Sequence, residues 1–353
     1  MSILLKTHKL LWGRSGNRCA FVECRNELIA DETETDDESV IGDEAHIVAR
    51  KKDGPRGDHP MPFEDRDKYD NLILLCRVHH KQIDDQSNHY TVEKLIDLKK
   101  EHEKWVKESL HLDSEANKDD LSYASYIDEL FKLLDIENYN SWTQSLISHG
   151  QPTIGYSRLK EIEKIPNYVV SRFWPGRYPE LETAIFNLKN VLNDLIKVFY
   201  KHVEDDSLKE SEDPEYDTTV YTRKFYKIQE WNPERYDELL KEYEYHVDLV
   251  DDLALEMTRA TNLVIEKIRK FLTPKYREEE GKMLVTAGPF MDMSWKTYKV
   301  EYKKEEKELE HPYPGLRKFM TERVNRDLTT GEGFNGNYFL DHIFGESEEP
   351  EKE

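Results

Sequence analysis

All three cysteines of this 353-residue chain, Cys19, Cys24 and Cys76, fall within its first 76 residues. An odd number argues against a disulfide framework, and such clustering is what a single metal site produces. Cys19 and Cys24 form a C-x4-C knuckle, and Cys76 with His79 has the C-x2-H spacing of half a zinc site. Together they make a Cys3His set that uses every cysteine present. Thiolate-rich tetrahedral sites suit zinc, and four protein ligands leave no open position, so a zinc held there is structural. The alternative is three ordinary buried cysteines, which leaves two paired spacings as coincidence. If the set is real, the N-terminal fold must bring residues 19–24 against residues 76–79.

The same region carries a second set of residues. Tyr69 to Leu75, with its short apolar run from Leu72, reads as a strand, and the chain then turns into a helix at about Cys76. On that helix His80 and Asp84 are four residues apart and share one face. Upstream, residues 40–49 are strand-like, with β-branched residues and His46 near the middle. Hydrolysis of a phosphodiester near neutral pH needs a base to take a proton from water, a cation to stabilise charge on the phosphorus-bound oxygens, and a group that orients the base. His46 is the right type for the base, because imidazole titrates near working pH. His80 and Asp84 can hold a divalent ion with open water positions, and Asn71 can orient His46 or join the metal shell. The Gly/Pro-broken loop after His46 carries Arg50, Lys51, Lys52 and Arg56, which suits contact with phosphates.

These residues resemble the HNH endonucleases. The resemblance covers Trp12 to about Trp105 and rests on Asp43-Glu-Ala-His46-Ile, on Asn71-Leu-Ile-Leu-Leu-Cys-Arg-Val-His-His80, and on the knuckle cysteines. It implies a strand–strand–helix (ββα-metal) fold, DNA as substrate, catalytic Mg2+ (or Mn2+) and a structural Zn2+. His46 corresponds to the general base, Asn71 to the family asparagine and His80 to the last metal-binding histidine. One position departs from the pattern. Many members carry an Asp or His metal ligand directly before the base, where this chain has Ala45, so Asp84, Asp43 or Glu44 is expected to fill in. The layout, a compact nuclease module before an unrelated C-terminal domain, looks like bacterial anti-phage effectors and restriction-type nucleases. The competing reading is a zinc-organised nucleic-acid-binding module in which catalysis is lost.

The formal charge is −22, and residues 1–113 hold 18 Lys and Arg against 24 Asp and Glu, or −6, leaving −16 for the remainder. That balance argues against a broadly basic nucleic-acid-coating surface but leaves room for a local basic track. No window approaches 18 consecutive apolar residues, and the N-terminus lacks the apolar core of a signal peptide, so no membrane association and a cytoplasmic location are expected. A helix is expected over 4–12 and another from Thr91 to about Leu110, followed by a polar, breaker-rich stretch at 111–120. These features divide the chain into an α+β domain over 1–112, a mostly α-helical domain over 113–345, and an acidic tail over 346–353. The second domain has helical periodicity from Pro233 to about Leu272 along one face and a hairpin signal around Gly288-Pro289. No motif in it carries recognisable chemistry. It is the expected place for a protein partner, a small-molecule or nucleic-acid signal, or homo-oligomerisation. His149, His202, His246, His311 and His342 are scattered through it and are expected to be structural, and the aromatic stripe around Trp231–Tyr245 is expected to be packing.

Overall fold

The computed structural model describes residues 3–31, 39–109, 114–147, 150–213, 216–230, 232–289 and 292–323, with the backbone alone for 114–117. Residues 32–38, the acidic tail, Trp231, His149 and His342 lie outside the described residues. Two compact units make up the chain. The first comprises residues 1–129 and Arg269–Arg277, and the second Leu130–Ile268 and the residues from Glu278 onward.

The first unit opens with α1, Leu5–Ser15, which ends where Gly16 and Asn17 take left-handed φ values of 58° and 56°. Its first free N–H groups are met by a residue far along the chain: Asp128 accepts from Leu5 and Lys6 at 3.0 and 2.9 Å. Two short strands, β1 (Ile29–Ala30) and β2 (Ser39–Val40), pair antiparallel. The central element is the antiparallel pair of β3, Gly42–His46, with β4, Leu72–Cys76, in a register that sets Gly42 against Cys76 and His46 against Leu72. Then come α2, Arg77–Asp85, and α3, Val92–Ser109. Thr91 Oγ1 accepts the Lys94 N–H at 3.4 Å, capping the start of α3.

β4 is a strand because its residues have a core on both sides. Leu72, Ile73, Leu74 and Leu75 are all essentially fully buried, packed with Leu11 of α1, Ile83 of α2 and Leu95 of α3. At Gly42 a Cβ would come within 2.8 Å of the Leu28 side chain, so this strand start tolerates only glycine without a shift of Leu28. The segment 69–71, expected as the start of the strand, is a 3-10 turn that delivers the chain into β4.

The sequence sets a boundary at 112, whereas the first compact unit runs on to Glu129. The physical reason is α4, Ser114–Leu134, which is tied to α1 through Asp128 and through Asp120, 2.9 Å from Lys9 Nζ. Arg269–Arg277 joins the same unit from far along the chain, which no local pattern announces.

The second unit is helix-rich with two small antiparallel pairs. In chain order it contains α5 (Tyr139–Ile147), β5 (Thr153–Gly155), α6 (Tyr156–Val170), α7 (Pro179–Lys201), β6 (Thr219–Tyr221), α8 (Pro233–Phe271), β7 (Val285–Ala287), β8 (Lys296–Tyr298), α9 (Lys304–Lys307) and α10 (Leu316–Glu322). β5 pairs with β6, and β7 with β8. α8 is unbroken over 39 residues, a length of roughly 58 Å. The sequence suggests burial along one face, but between Leu249 and Ile268 nearly every side chain is buried, polar ones included. Those polar groups have partners: Asp252 lies 2.8 Å from Arg323, Glu256 accepts from Tyr302, and Asn262 bonds the backbone of Met283 and Val300. A helix surrounded on all sides is the core of its unit. His202 packs on Phe225 at 4.3 Å and edge-on to His246 at 4.9 Å, and burial lowers its pKa to about 4, so it is a neutral core side chain. Among the described residues no helix is long and apolar enough to cross a membrane.

Candidate metal centre and active site

Cys19, Cys24, Cys76 and His79 converge, with ligand atoms all within 4.8 Å of one another. Local backbone bonds explain how residues so far apart in sequence meet. Cys19 N–H bonds Asn26 O at 3.0 Å, Cys24 N–H bonds Phe21 O at 3.0 Å, and Arg25 takes a left-handed φ of 48°, which closes the knuckle. Ala20 N–H then bonds Leu74 O at 3.0 Å, pinning the knuckle beside β4. Cys76 ends that strand, and His79 sits in the first turn of α2 with Nδ1 3.1 Å from Cys76 Sγ and 3.4 Å from Cys19 Sγ. Phe21 stacks on the His79 ring at 4.0 Å and 11°, fixing its plane. Burial pushes the Cys19 thiol up to about 12, while backbone N–H groups of Cys76 and Phe21 act in the other direction. Three sulfurs and one imidazole nitrogen drawn together, with Cys19 buried and the other three half-buried, form a donor set that could hold a metal such as zinc. Among the described residues this is the one group of three or more His, Cys, Asp or Glu whose ligand atoms converge so closely.

The second predicted set is arranged differently from the expectation. Asn71 is 1% exposed, and its whole amide is committed to backbone: Nδ2 donates to Val48 O at 2.9 Å and Arg66 O at 2.7 Å, and Oδ1 accepts from Val48 N–H at 2.9 Å. With both ends of the amide engaged it has no atom left for a metal shell, and its side chain makes no hydrogen bond to His46. Instead it locks the backbone two residues beyond His46, which fixes where that strand end points. His46 is oriented by a residue the sequence reading did not single out: its Nε2 lies 3.0 Å from Asp67 Oδ1, and Asp67 Oδ2 lies 3.5 Å from Arg50 Nε.

His80 stands between two carboxylates. Its Nδ1 is 3.3 Å from Asp43 Oδ2 and its Nε2 is 3.4 Å from Asp84 Oδ2. Because the two carboxylates approach opposite edges of the ring, Asp84 is displaced from the ligand role expected of it. Asp84 Oδ1 also accepts from Arg56 at 2.9 Å, so Asp84 is an orienting carboxylate. A metal-binding histidine typically gives its second N–H to such a group. Asp43 Oδ2 and His80 Nδ1, 3.3 Å apart, form an edge that fits an octahedral divalent ion completed by water and phosphate. Asp43 lies two residues before Ala45 on the same strand face. Glu44, the other carboxylate considered, is engaged elsewhere: it accepts from Trp12 Nε1 at 2.6 Å and lies 2.6 Å from His8 Nδ1.

Asp43 has one further partner. Lys275, from the segment that clusters with the first unit, places Nζ 3.1 Å from Asp43 Oδ1 and also bonds Gly42 O. Burial raises the Asp43 pKa, but hydrogen bonds from Lys275 and His80 more than offset it, leaving the carboxyl below its ordinary value. Among the described residues no hydrogen bond or ion pair joins the His46–Asp67 pair to the His80 group. Along β3 the Cα positions of Asp43 and His46 are about 10 Å apart.

The predicted phosphate-contact loop is partly a structural bracket. The Arg56 side chain is 5% exposed and donates to Ile47 O and Ile83 O, both at 2.6 Å, besides Asp84. Its charge is spent on carbonyls, so it is withdrawn from the phosphate contacts expected of it. The neighbouring Arg66 is also buried and holds the carbonyls of Ala49 and Gly57. Lys51 and Lys52 remain exposed. Arg56→Ala is expected to cost about 2–3 kcal/mol of first-unit stability, because buried acceptors lose a charged donor. A lowered urea midpoint checks this, and an unchanged midpoint would return Arg56 to the surface.

No protein-family model matches the chain, and a search of curated proteins finds no match either.

Proposed function

We propose that the first unit is a metal-dependent HNH-type endonuclease module that hydrolyses DNA phosphodiester bonds. The observation that carries this reading is the division of labour between two adjacent histidines on α2. His79 turns Nδ1 to the thiols of Cys19 and Cys76, while His80 is flanked by Asp43 and Asp84. A ββα arrangement braced by zinc, with an oriented imidazole at the strand end, is what that chemistry requires.

The proton path follows from one contact. With the Nε2–H of His46 donated to Asp67 Oδ1, Nδ1 keeps its lone pair and takes the proton of the attacking water. Asp67 holds that tautomer and stabilises the imidazolium that results, and Asn71 holds the backbone beyond it. Asp43 and His80 would hold magnesium or manganese, which when bound supplies charge stabilisation on the phosphate and the leaving oxygen. Asp84, braced by Arg56, would take the Nε2–H of His80 and so turn the Nδ1 lone pair, beside Asp43, toward the ion. Lys51 and Lys52 are suited to backbone phosphates beside His46.

Lys275 and a divalent ion share Asp43 in this reading. Lys275→Ala is expected to raise Mn2+ affinity by up to about fivefold, the equivalent of a partly exposed ion pair of roughly 1 kcal/mol. Electron paramagnetic resonance of free Mn2+ reads this directly, and lowered affinity in the variant would make Lys275 a supporting residue instead.

Nicking of supercoiled plasmid by the full chain with Mg2+ or Mn2+ tests the reading as a whole. Retained DNA affinity with no cleavage in either metal would favour the non-catalytic, zinc-organised binding module.

A further inference from the structure

α3 carries lysines at 100, 104 and 107, spaced i, i+4 and i+7, so the three share one helix face. All three are exposed, and among the described residues none of them has an ion-pair partner. They line one wall of a concave groove whose other wall is α1, contributing Lys9 and Arg14. Two carboxylates also line it, and both are engaged: Asp120 lies 2.9 Å from Lys9, and Glu103 accepts from the Tyr69 hydroxyl. In a chain of net charge −22, a groove with this excess of cations is a local reversal of sign.

Tyr69 links the groove to the segment that holds the candidate base. Arg14 lies over the Tyr69 ring at 5.0 Å and donates to its hydroxyl at 3.4 Å. Lys99 Nζ sits 3.5 Å from the same ring centroid and bonds Leu72 O at 2.8 Å. Tyr69 is two residues from Asp67, which holds His46, and Leu72 pairs with His46 in the sheet. The face of α3 from Lys100 to Lys107 runs about 10 Å, the axial length of roughly three phosphates on one strand of duplex DNA.

We infer that this α1–α3 groove is the track for the DNA phosphate backbone, with Lys100, Lys104 and Lys107 as its phosphate contacts. The inference rests on the nuclease reading for the identity of the polyanion, but it concerns a different surface from the Arg50–Arg56 loop. Lysine suits the task as a mobile point charge, and contacts of this kind position a duplex without reading its sequence.

The test is binding of a fluorescein-labelled 20-base-pair duplex to the full chain without added divalent ion, followed by anisotropy between 50 and 200 mM NaCl. Removing three phosphate contacts should reduce the slope of log K against log salt by about 2.7, at about 0.9 per phosphate. K100Q/K104Q/K107Q should therefore bind at least about tenfold more weakly at 50 mM NaCl, with zinc content and circular dichroism unchanged. K100R/K104R/K107R should keep the wild-type slope. An unchanged slope in the Gln variant overturns the inference, and so does a wild-type protein that binds no duplex. Plasmid nicking by the same preparations separates the two claims. Nicking by wild type with an unchanged slope in the Gln variant removes the groove and leaves the nuclease reading. A slope that falls as expected without nicking in Mg2+ or Mn2+ keeps the groove and removes the nuclease.

Discussion

His79→Ala is expected to unfold the first unit, whereas His80→Ala should leave it folded with its zinc in place. His79 provides the only nitrogen of a four-donor set, with its ring clamped by Phe21 and Nδ1 within 3.4 Å of two sulfurs. Without it the knuckle at 19–24 keeps only backbone bonds to Phe21, Asn26 and Leu74 to hold it at β4. A structural zinc contributes on the order of 10 kcal/mol to small zinc domains. Here a core of Leu72 to Leu75 with Leu11, Ile83 and Leu95 supplies part of the stability, so a loss of about 5 kcal/mol is expected. That is comparable with the total stability of a typical domain. His80 is one-third exposed and contacts carboxylates that retain other cations, so its replacement should change stability by less than about 1 kcal/mol. Metal analysis with urea unfolding distinguishes the pair. Equal zinc loss in both variants would show that the division between the two histidines is wrong.

The second large effect is on rate. His46→Ala removes the base but none of the zinc ligands, so cleavage should fall by about 10³-fold, within the span expected for general-base catalysis. Asp67→Asn should fall part of the way, because an amide neither fixes the tautomer in the same way nor stabilises the imidazolium. The contrast between these two variants separates a base held by a carboxylate from a histidine that merely fills the strand end.

The zinc set was legible in the sequence because its chemistry is rare and its spacings are short. Three cysteines and one histidine in two close pairs leave little else to assign. The strand–strand–helix order was legible as well, since Leu72–Leu75 is a continuous apolar run bounded by polar residues. What could not be read were pairings between residues distant in sequence. Asp67 sits in a mixed-charge run with no periodic signal, and only the fold brings it to His46, 21 positions away. Lys275 reaches Asp43 across 232 positions. Asn71 was legible as a position but not as a role, because nothing local reveals that its amide closes on Val48 and Arg66. Arg56 illustrates the same limit from the other side. In a basic loop broken by Gly54 and Pro55 it looks like a phosphate contact, yet a left-handed φ of 57° turns it inward onto Ile47, Ile83 and Asp84. The lysines of α3 were visible as charges, but their common wall with α1 exists only once the two helices pack.

The most direct test of the central claim is the single-turnover cleavage rate of duplex DNA in Mn2+, measured for wild type and His46→Ala at matched zinc content. The expected result is measurable cutting by wild type and a rate about 10³-fold lower in the variant. Equal rates in the two proteins would contradict the account.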